Sequence, residues 1–174
     1  MVGDIREAEG VPVVGTHLRK QLETIEPSLA GSCEYRPCRV LLASREWRDC
    51  VYLVEAISYI ENQGLWPWEL PGWEYLPLDD VLQIENSPTR LPAVIATKIA
   101  RAGETRMGYH VFTLLTADGL RIPRISGNPD WVELPNGVRP QDIIDVIPHE
   151  GRSKVLDSHS HGKAFAWCLY RLPA

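Results

Sequence analysis

Three of the five histidines in this 174-residue chain lie within thirteen residues near its C-terminal end. His149 is followed directly by Glu150, whereas His159 and His161 follow Asp157 at a spacing of two residues. In an extended segment Asp157, His159 and His161 project from one face, because side chains alternate along a strand. Two imidazoles and a carboxylate can hold a divalent metal ion, and His149 with Glu150 is a candidate acid–base pair. One interpretation is therefore a small metal-assisted hydrolase.

Common catalytic motifs do not accompany these residues. The sequence contains no Gly-x-Ser-x-Gly, His-Glu-x-x-His or phosphate-loop pattern. The Ser, Gly and Lys residues around the histidines are also typical of a polar loop. We therefore expect no cofactor, and a binding protein is favoured over an enzyme.

A second segment combines tryptophans with carboxylates. Residues 61–89 contain six acidic and no basic side chains, so the rest of a chain with net charge −5 carries a net +1. The same segment holds three of the six tryptophans, and its prolines stiffen its path. The charge of this chain is thus concentrated where its aromatic side chains are dense.

This composition predicts a site for a cation. Aromatic faces attract cations through their quadrupole, and neighbouring carboxylates add Coulomb attraction. The hypothesis is a non-catalytic module that engages a basic protein surface or a cationic small ligand. The predicted contact residues are Trp66, Trp68, Glu69, Trp73, Glu74 and Tyr75. The alternative is that the tryptophans belong to the core and that the acids form a solvated rim.

Composition limits the partners. The acidic excess, with a pI near 5.5, disfavours nucleic acid as the main partner. The longest apolar runs are far shorter than the roughly 20 residues that span a bilayer, so no membrane is expected. Residues 1–10 lack the apolar core of a secretory signal, which predicts a cytoplasmic location. The opposite charges of the two halves would permit a homo-oligomer.

Cysteine usage agrees with a reducing compartment. Cys33 and Cys38 could form half of a zinc site. Cys50 and Cys168 lie in apolar runs, where a free cysteine acts as a small buried side chain. We therefore expect neither a disulfide nor a structural zinc ion.

One helix and several strands position these residues. Thr16 is a plausible N-cap for a helix over about residues 17–26, which Pro27 would end. Residues 38–44 and 50–60 are β-branched and aromatic runs that predict a hairpin. Asp118-Gly119 predicts a type I′ turn between two further strands, and residues 164–171 predict a closing strand.

The β-rich part contains a possible internal repeat. A Trp-x-x-Leu-Pro unit begins at Trp73 and again at Trp131, and an Asp-led apolar strand follows each unit, at Asp80 and at Asp142. This strand order resembles that of small SH3-like or Sm-like barrels. The alternative is that two unrelated β-meanders contain the same kinds of turn residues.

The predicted fold is mainly β with a minor α+β component. An N-terminal segment with the helix, residues 1–32, precedes two pseudo-repeated SH3-like or Sm-like barrels or one fused antiparallel β domain. The first repeat spans residues 33–107 and carries the acidic, tryptophan-rich insertion at 61–72, and the second spans residues 108–174. Insertions in a scaffold commonly carry its function.

Overall fold

The computed structural model describes residues 5–155 and 161–174, which form two compact units. The first unit comprises the described residues up to Pro88 together with Phe165–Ala174, and the second comprises those of Thr89–Ala164. Strand content exceeds helix content, 37% against 25%, so the mainly β class is confirmed. No helix in the described ranges is long and apolar enough to cross a membrane.

The elements are as follows. The helices are α1 (Thr16–Leu22), α2 (Ala56–Gln63), α3 (Ala93–Arg101) and α4 (Arg152–Val155), and short 3-10 helices span Ile5–Gly10, Pro67–Glu69, Leu78–Asp80 and Pro140–Asp142. The strands are β1 (Ser28–Ala30), β2 (Cys33–Leu42), β3 (Trp47–Glu55), β4 (Glu74–Tyr75), β5 (Val81–Asn86), β6 (His110–Thr116), β7 (Arg121–Ser126), β8 (Ile143–Pro148) and β9 (Ala166–Tyr170).

The first unit is built on a mixed six-stranded sheet. Its strand order is β1-β2-β3-β9-β4, with β5 also paired to β2, and β9 runs parallel to both β3 and β4. Val51 and Leu53 belong to a core that includes Leu22 of α1, whereas Tyr52 between them contacts Trp167 on the opposite face. The sheet is therefore buried on both faces, with α1 on one side and an aromatic cluster on the other.

Helix α1 is shorter than predicted and begins differently. Gly15, rather than Thr16, is the N-cap, and no side chain caps the first turn. The helix ends at Leu22, and beyond it the guanidinium of Arg36 donates to the carbonyl of Ile25 at 2.6 Å. The helical spacing of apolar residues predicts a stripe of Leu18, Leu22, Ile25 and Leu29. Leu22 and Ile25 are buried in the core, although Ile25 lies beyond the helix, whereas Leu29 is 41% exposed.

The predicted strand over residues 50–60 divides into a strand and a helix. The Glu55 carboxylate accepts hydrogen bonds from the backbone N–H groups of Ile57 at 3.1 Å and Ser58 at 2.7 Å, which caps α2. Gly64, with φ of 76°, ends the helix in the left-handed conformation. Pattern alone favoured a strand here because the run is rich in β-branched and aromatic residues.

The second unit contains a three-stranded antiparallel sheet with the order β7-β6-β8. Helix α3, which the sequence analysis did not predict, packs Ile95 and Ile99 into a core with Phe112 and Leu114 of β6. Its start after Pro92 is typical of a helix N-terminus. β7 is an edge strand of this sheet, in agreement with the proline that it contains.

The turn between β6 and β7 is not type I′. Gly119 has a positive φ of 86°, but Asp118 does not, and a type I′ turn needs both. The Gly119 N–H donates to the carbonyl of Thr116 at 3.0 Å, and the Thr116 N–H donates to that of Leu120 at 3.1 Å. The loop is therefore a longer one with a single left-handed glycine.

The two sheets share a local arrangement. In each, the first strand of a hairpin lies between its hairpin partner and a strand that follows a three-residue 3-10 helix. Val40 lies opposite Ile84 in one ladder and Leu114 opposite Val146 in the other. Both ladders shift register at the corresponding step, just before Leu42 and Thr116. The described strands form open sheets and no closed barrel.

The closing strand has an unexpected partner. Residues of β9 were predicted to end the second repeat, but β9 pairs in parallel with β3 of the first sheet, with Tyr52 opposite Trp167. A parallel pairing leaves no local turn signal in the sequence, because the connection is long. This pairing brings Trp167 beside the acidic, tryptophan-rich segment.

Candidate functional site

Trp66 is part of the core. Its ring is fully buried and stacks with Trp68 at a centroid distance of 5.1 Å and an interplanar angle of 5°, and also with Tyr59 at 6.4 Å. Its backbone N–H donates to the Glu69 carboxylate at 2.7 Å, which fixes the start of the 3-10 helix. Trp66 was predicted to contact a partner, and its burial corrects that role to one of support.

Trp68 is the first exposed ring of the segment. It is 45% exposed, yet one side stacks on Trp66 and its edge meets Tyr75 at 5.0 Å. Tyr75 is partly buried on β4, where it pairs with Trp167. Trp68 therefore exposes an apolar surface to solvent, and its contacts with Trp66 and Tyr75 hold the ring in place.

Trp73 is the second exposed ring. It is 40% exposed and stacks on the buried Trp167 at 5.8 Å, with 25° between the ring planes. Trp167 is the centre of a larger cluster, with ring contacts to Tyr35, Tyr52, Tyr59 and Phe165 as well. Nothing in the sequence marks Trp167 as a site residue, because only the parallel pairing of β4 with β9 brings it to Trp73.

We call the exposed Trp68 and Trp73, together with Tyr75 and with Glu69 and Glu74, their neighbours in the chain, the tryptophan surface. The Glu74 carboxylate lies 2.5 Å from Nη2 of Arg48, and both side chains are substantially exposed. Burial, more than the nearby Cys168 and Asp79, raises the pKa of Tyr75 to about 12. Tyr75 is therefore a neutral phenol at physiological pH.

The acidic side chains of residues 61–89 are partly neutralised. Arg48 pairs with Glu74, and Arg39 pairs with Glu85 at 2.6 Å. The remaining four carboxylates of the segment form no ion pair with the described residues; they are Glu61, Glu69, Asp79 and Asp80. All four are exposed, so the segment keeps a net negative potential toward solvent.

The candidate acid–base pair is already engaged within the second unit. The His149 ring lies 2.8 Å from the Thr105 hydroxyl through Nδ1 and 2.9 Å from the Ala102 carbonyl through Nε2. Glu150 forms an ion pair with Arg121. The His149 contacts join the end of β8 to the loop after α3, and the Glu150 contact joins it to the start of β7, so both side chains have a structural role there.

The candidate metal ligands are only partly described. Asp157 and His159 lie outside the described residues. The backbone N–H of His161 donates to the carbonyl of Ile125 at 2.8 Å, and Nδ1 of the His161 ring accepts the backbone N–H of Ile125 at 3.4 Å. Burial, then the charge of Arg124, lowers the pKa of His161. Within the described ranges, no three His, Cys, Asp or Glu side chains are placed to hold a metal ion.

The four cysteines are buried free thiols. Burial is the largest cause that raises the pKa of Cys33 to about 11 and that of Cys168 to about 12. A raised pKa leaves little thiolate at neutral pH, and thiolate is the form that binds metals and attacks electrophiles. These side chains therefore pack as small apolar groups.

The exposed, supported indoles and the unneutralised carboxylates thus lie in one segment of the first unit.

The chain matches no protein-family model, no curated protein and no solved structure.

Proposed function

We propose that this protein is a non-catalytic binding module whose tryptophan surface engages a basic surface of a partner protein. The observation that carries the proposal is the exposure of Trp68 and Trp73, 45% and 40%, on rings that buried aromatic residues hold in place. Tryptophan is enriched among the residues that dominate binding energy at interfaces. Rings that are already fixed lose little side-chain entropy when a partner covers them.

Charge supports a basic partner. Residues 61–89 contain no basic side chain, and four exposed carboxylates there have no ion-pair partner among the described residues. A negative surface increases the rate at which positive partners associate and disfavours negative ones. Tryptophan faces add cation–π attraction of about 0.5–2 kcal/mol for each well-formed contact.

Two finer interpretations are part of the proposal. The matched ladders of β5 on β2 and β8 on β6 support a duplicated unit of SH3-like or Sm-like strand order. We also propose a cytoplasmic location, supported by the four free thiols.

Peptide titration tests the function. An octapeptide of alternating Arg and Lys is titrated into the protein by calorimetry, with the matching Glu octapeptide as its charge control. We expect binding of the basic peptide only, and a loss of about 10-fold in affinity for Trp68→Ala or Trp73→Ala.

Trp47→Ala is the matched control. Trp47 is 42% exposed, but the guanidinium of Arg39 already lies over its ring. Its removal should leave affinity within about twofold, as expected for a residue outside the interface. Absence of binding by the basic peptide, or equal losses for all three tryptophans, would refute the proposal. Binding of free tetramethylammonium at comparable affinity would instead indicate a small-ligand site.

A further inference from the structure

One exposed tryptophan of this protein already carries a cation. The guanidinium carbon of Arg39 lies 4.5 Å from the ring centroid of Trp47. Nε and Nη2 of the same guanidinium donate to one oxygen of Glu85, at 3.1 and 2.6 Å, and Gln83 donates to the other oxygen at 2.7 Å. An indole of β3, a guanidinium of β2 and a carboxylate of β5 are thus arranged together on the first sheet.

At the tryptophan surface, exposed indoles and carboxylates are neighbours in the chain. Trp68 and Trp73 supply indoles of similar exposure, and Glu69 and Glu74 are their neighbours in the chain. Among the described residues, Glu69 accepts one hydrogen bond, from the Trp66 N–H through Oε2, and Glu74 accepts one, from Arg48 through Oε2. Among the described residues, no cation lies over the ring of Trp68 or Trp73, whereas Arg39 lies over that of Trp47. The Arg48 guanidinium already donates to the Glu74 carboxylate at 2.5 Å, so one carboxylate of this surface binds a guanidinium edge within the protein itself.

Arginine and lysine differ in how they fill such a position. A guanidinium is planar and weakly hydrated, so it stacks on an indole while its edge donates to a carboxylate. An ammonium group is a compact, strongly hydrated charge that cannot present a flat face to a ring. At Trp47, the Arg39 guanidinium lies over the ring and at the same time donates from its edge to Glu85.

We infer that the tryptophan surface selects arginine over lysine side chains on its partner. This inference rests on the proposed function and adds the chemical identity of the contacting groups.

Two peptides of equal charge test the inference. Octa-arginine and octa-lysine are titrated separately into the intact protein at one ionic strength. We expect octa-arginine to bind about 10-fold more tightly, and the preference to fall to about twofold in the Trp68→Ala/Trp73→Ala double variant. The Trp47→Ala variant, with a similar exposed ring removed elsewhere, should keep the full preference.

The possible results separate the two proposals. Equal binding of both peptides would overturn the arginine preference and leave the basic partner standing. Binding of neither peptide would overturn both. A preference that persists in the double variant would place arginine recognition elsewhere and so refute the inference; the melting temperature of each variant shows that it is folded. Should the double variant fail to fold, Glu74→Gln is the second variant, with a decrease in the preference expected.

Discussion

Adjacent tryptophans in this protein have different roles. Trp66 and Trp68 are two residues apart and their rings stack, but the first is buried and the second is almost half exposed. Pro67 lies between them at the start of the 3-10 helix. Residue type and spacing therefore do not distinguish the tryptophan that supports the surface from the one that forms it.

Alanine substitution distinguishes the two roles. Trp66→Ala should lower the free energy of unfolding by about 3–5 kcal/mol, because it leaves a cavity in the core. Trp68→Ala should lower it by no more than about 1.5 kcal/mol, the scale of its ring contacts. Urea denaturation measures both values. Equal losses would show that Trp68 is also a core residue and would weaken its role in binding.

Tyr75 predicts a pH dependence. Its pKa is about 12 in the folded protein, against the ordinary value of 10.0 for a tyrosine phenol. Because the folded pKa is raised, the contribution to stability is complete below pH 10 and is lost as pH rises from 10 to 12. Urea denaturation across this range should show a decline in the free energy of unfolding that is shallower in Tyr75→Phe. An identical decline in the variant would contradict the assignment to Tyr75.

At the scale of elements, local hydrogen bonds determine strand and helix boundaries that the hydrophobic pattern of the sequence could not predict. Residues 38–42 and the apolar stripe of α1 were predictable because alternation and helical spacing reflect burial directly. The Glu55 cap converts the end of one predicted strand into α2. The parallel partner of β9 depends on contacts distant in sequence, and for that reason the support of Trp73 by Trp167 could not be predicted.

The hydrogen bonds of the His149 ring predict that removing this side chain destabilises the second unit. Its two ring nitrogens join β8 to Thr105 and to the carbonyl of Ala102, and the Thr105 hydroxyl also accepts the N–H of Val111. His149→Ala should reduce the free energy of unfolding by about 1–2 kcal/mol, the net value of such bonds. Exposed His17→Ala is the control, with an effect below about 0.5 kcal/mol. Unchanged stability in His149→Ala would refute the structural role.

For the molecule as a whole, the net charge of −5 is a local property. Residues 61–89 carry all of the negative excess, and the remainder of the sequence carries a net +1. The sequence was sufficient to locate this segment and its aromatic content. It could not show which rings face solvent, because burial depends on how β4 and α2 lie on the sheet.

Localised charge predicts a kinetic effect of salt. Association of a basic peptide should slow by about 10-fold between roughly 0.05 and 0.5 M NaCl, because salt screens the attraction that guides encounter. Dissociation should change much less, since stacking on the rings depends weakly on salt. Stopped-flow tryptophan fluorescence measures both rates. Salt-independent association would contradict an electrostatic contribution by this segment.

The central claim is that Trp68 and Trp73 form the contact surface. Oxidative footprinting of the intact protein, with and without saturating octa-arginine, reports the accessibility of each indole. We predict that oxidation of Trp68 and Trp73 falls several-fold in the complex, whereas Trp47, exposed to a similar degree, is oxidised as before. Protection of Trp47 alone, or unchanged oxidation of Trp68 and Trp73 in the saturated complex, would contradict the claim.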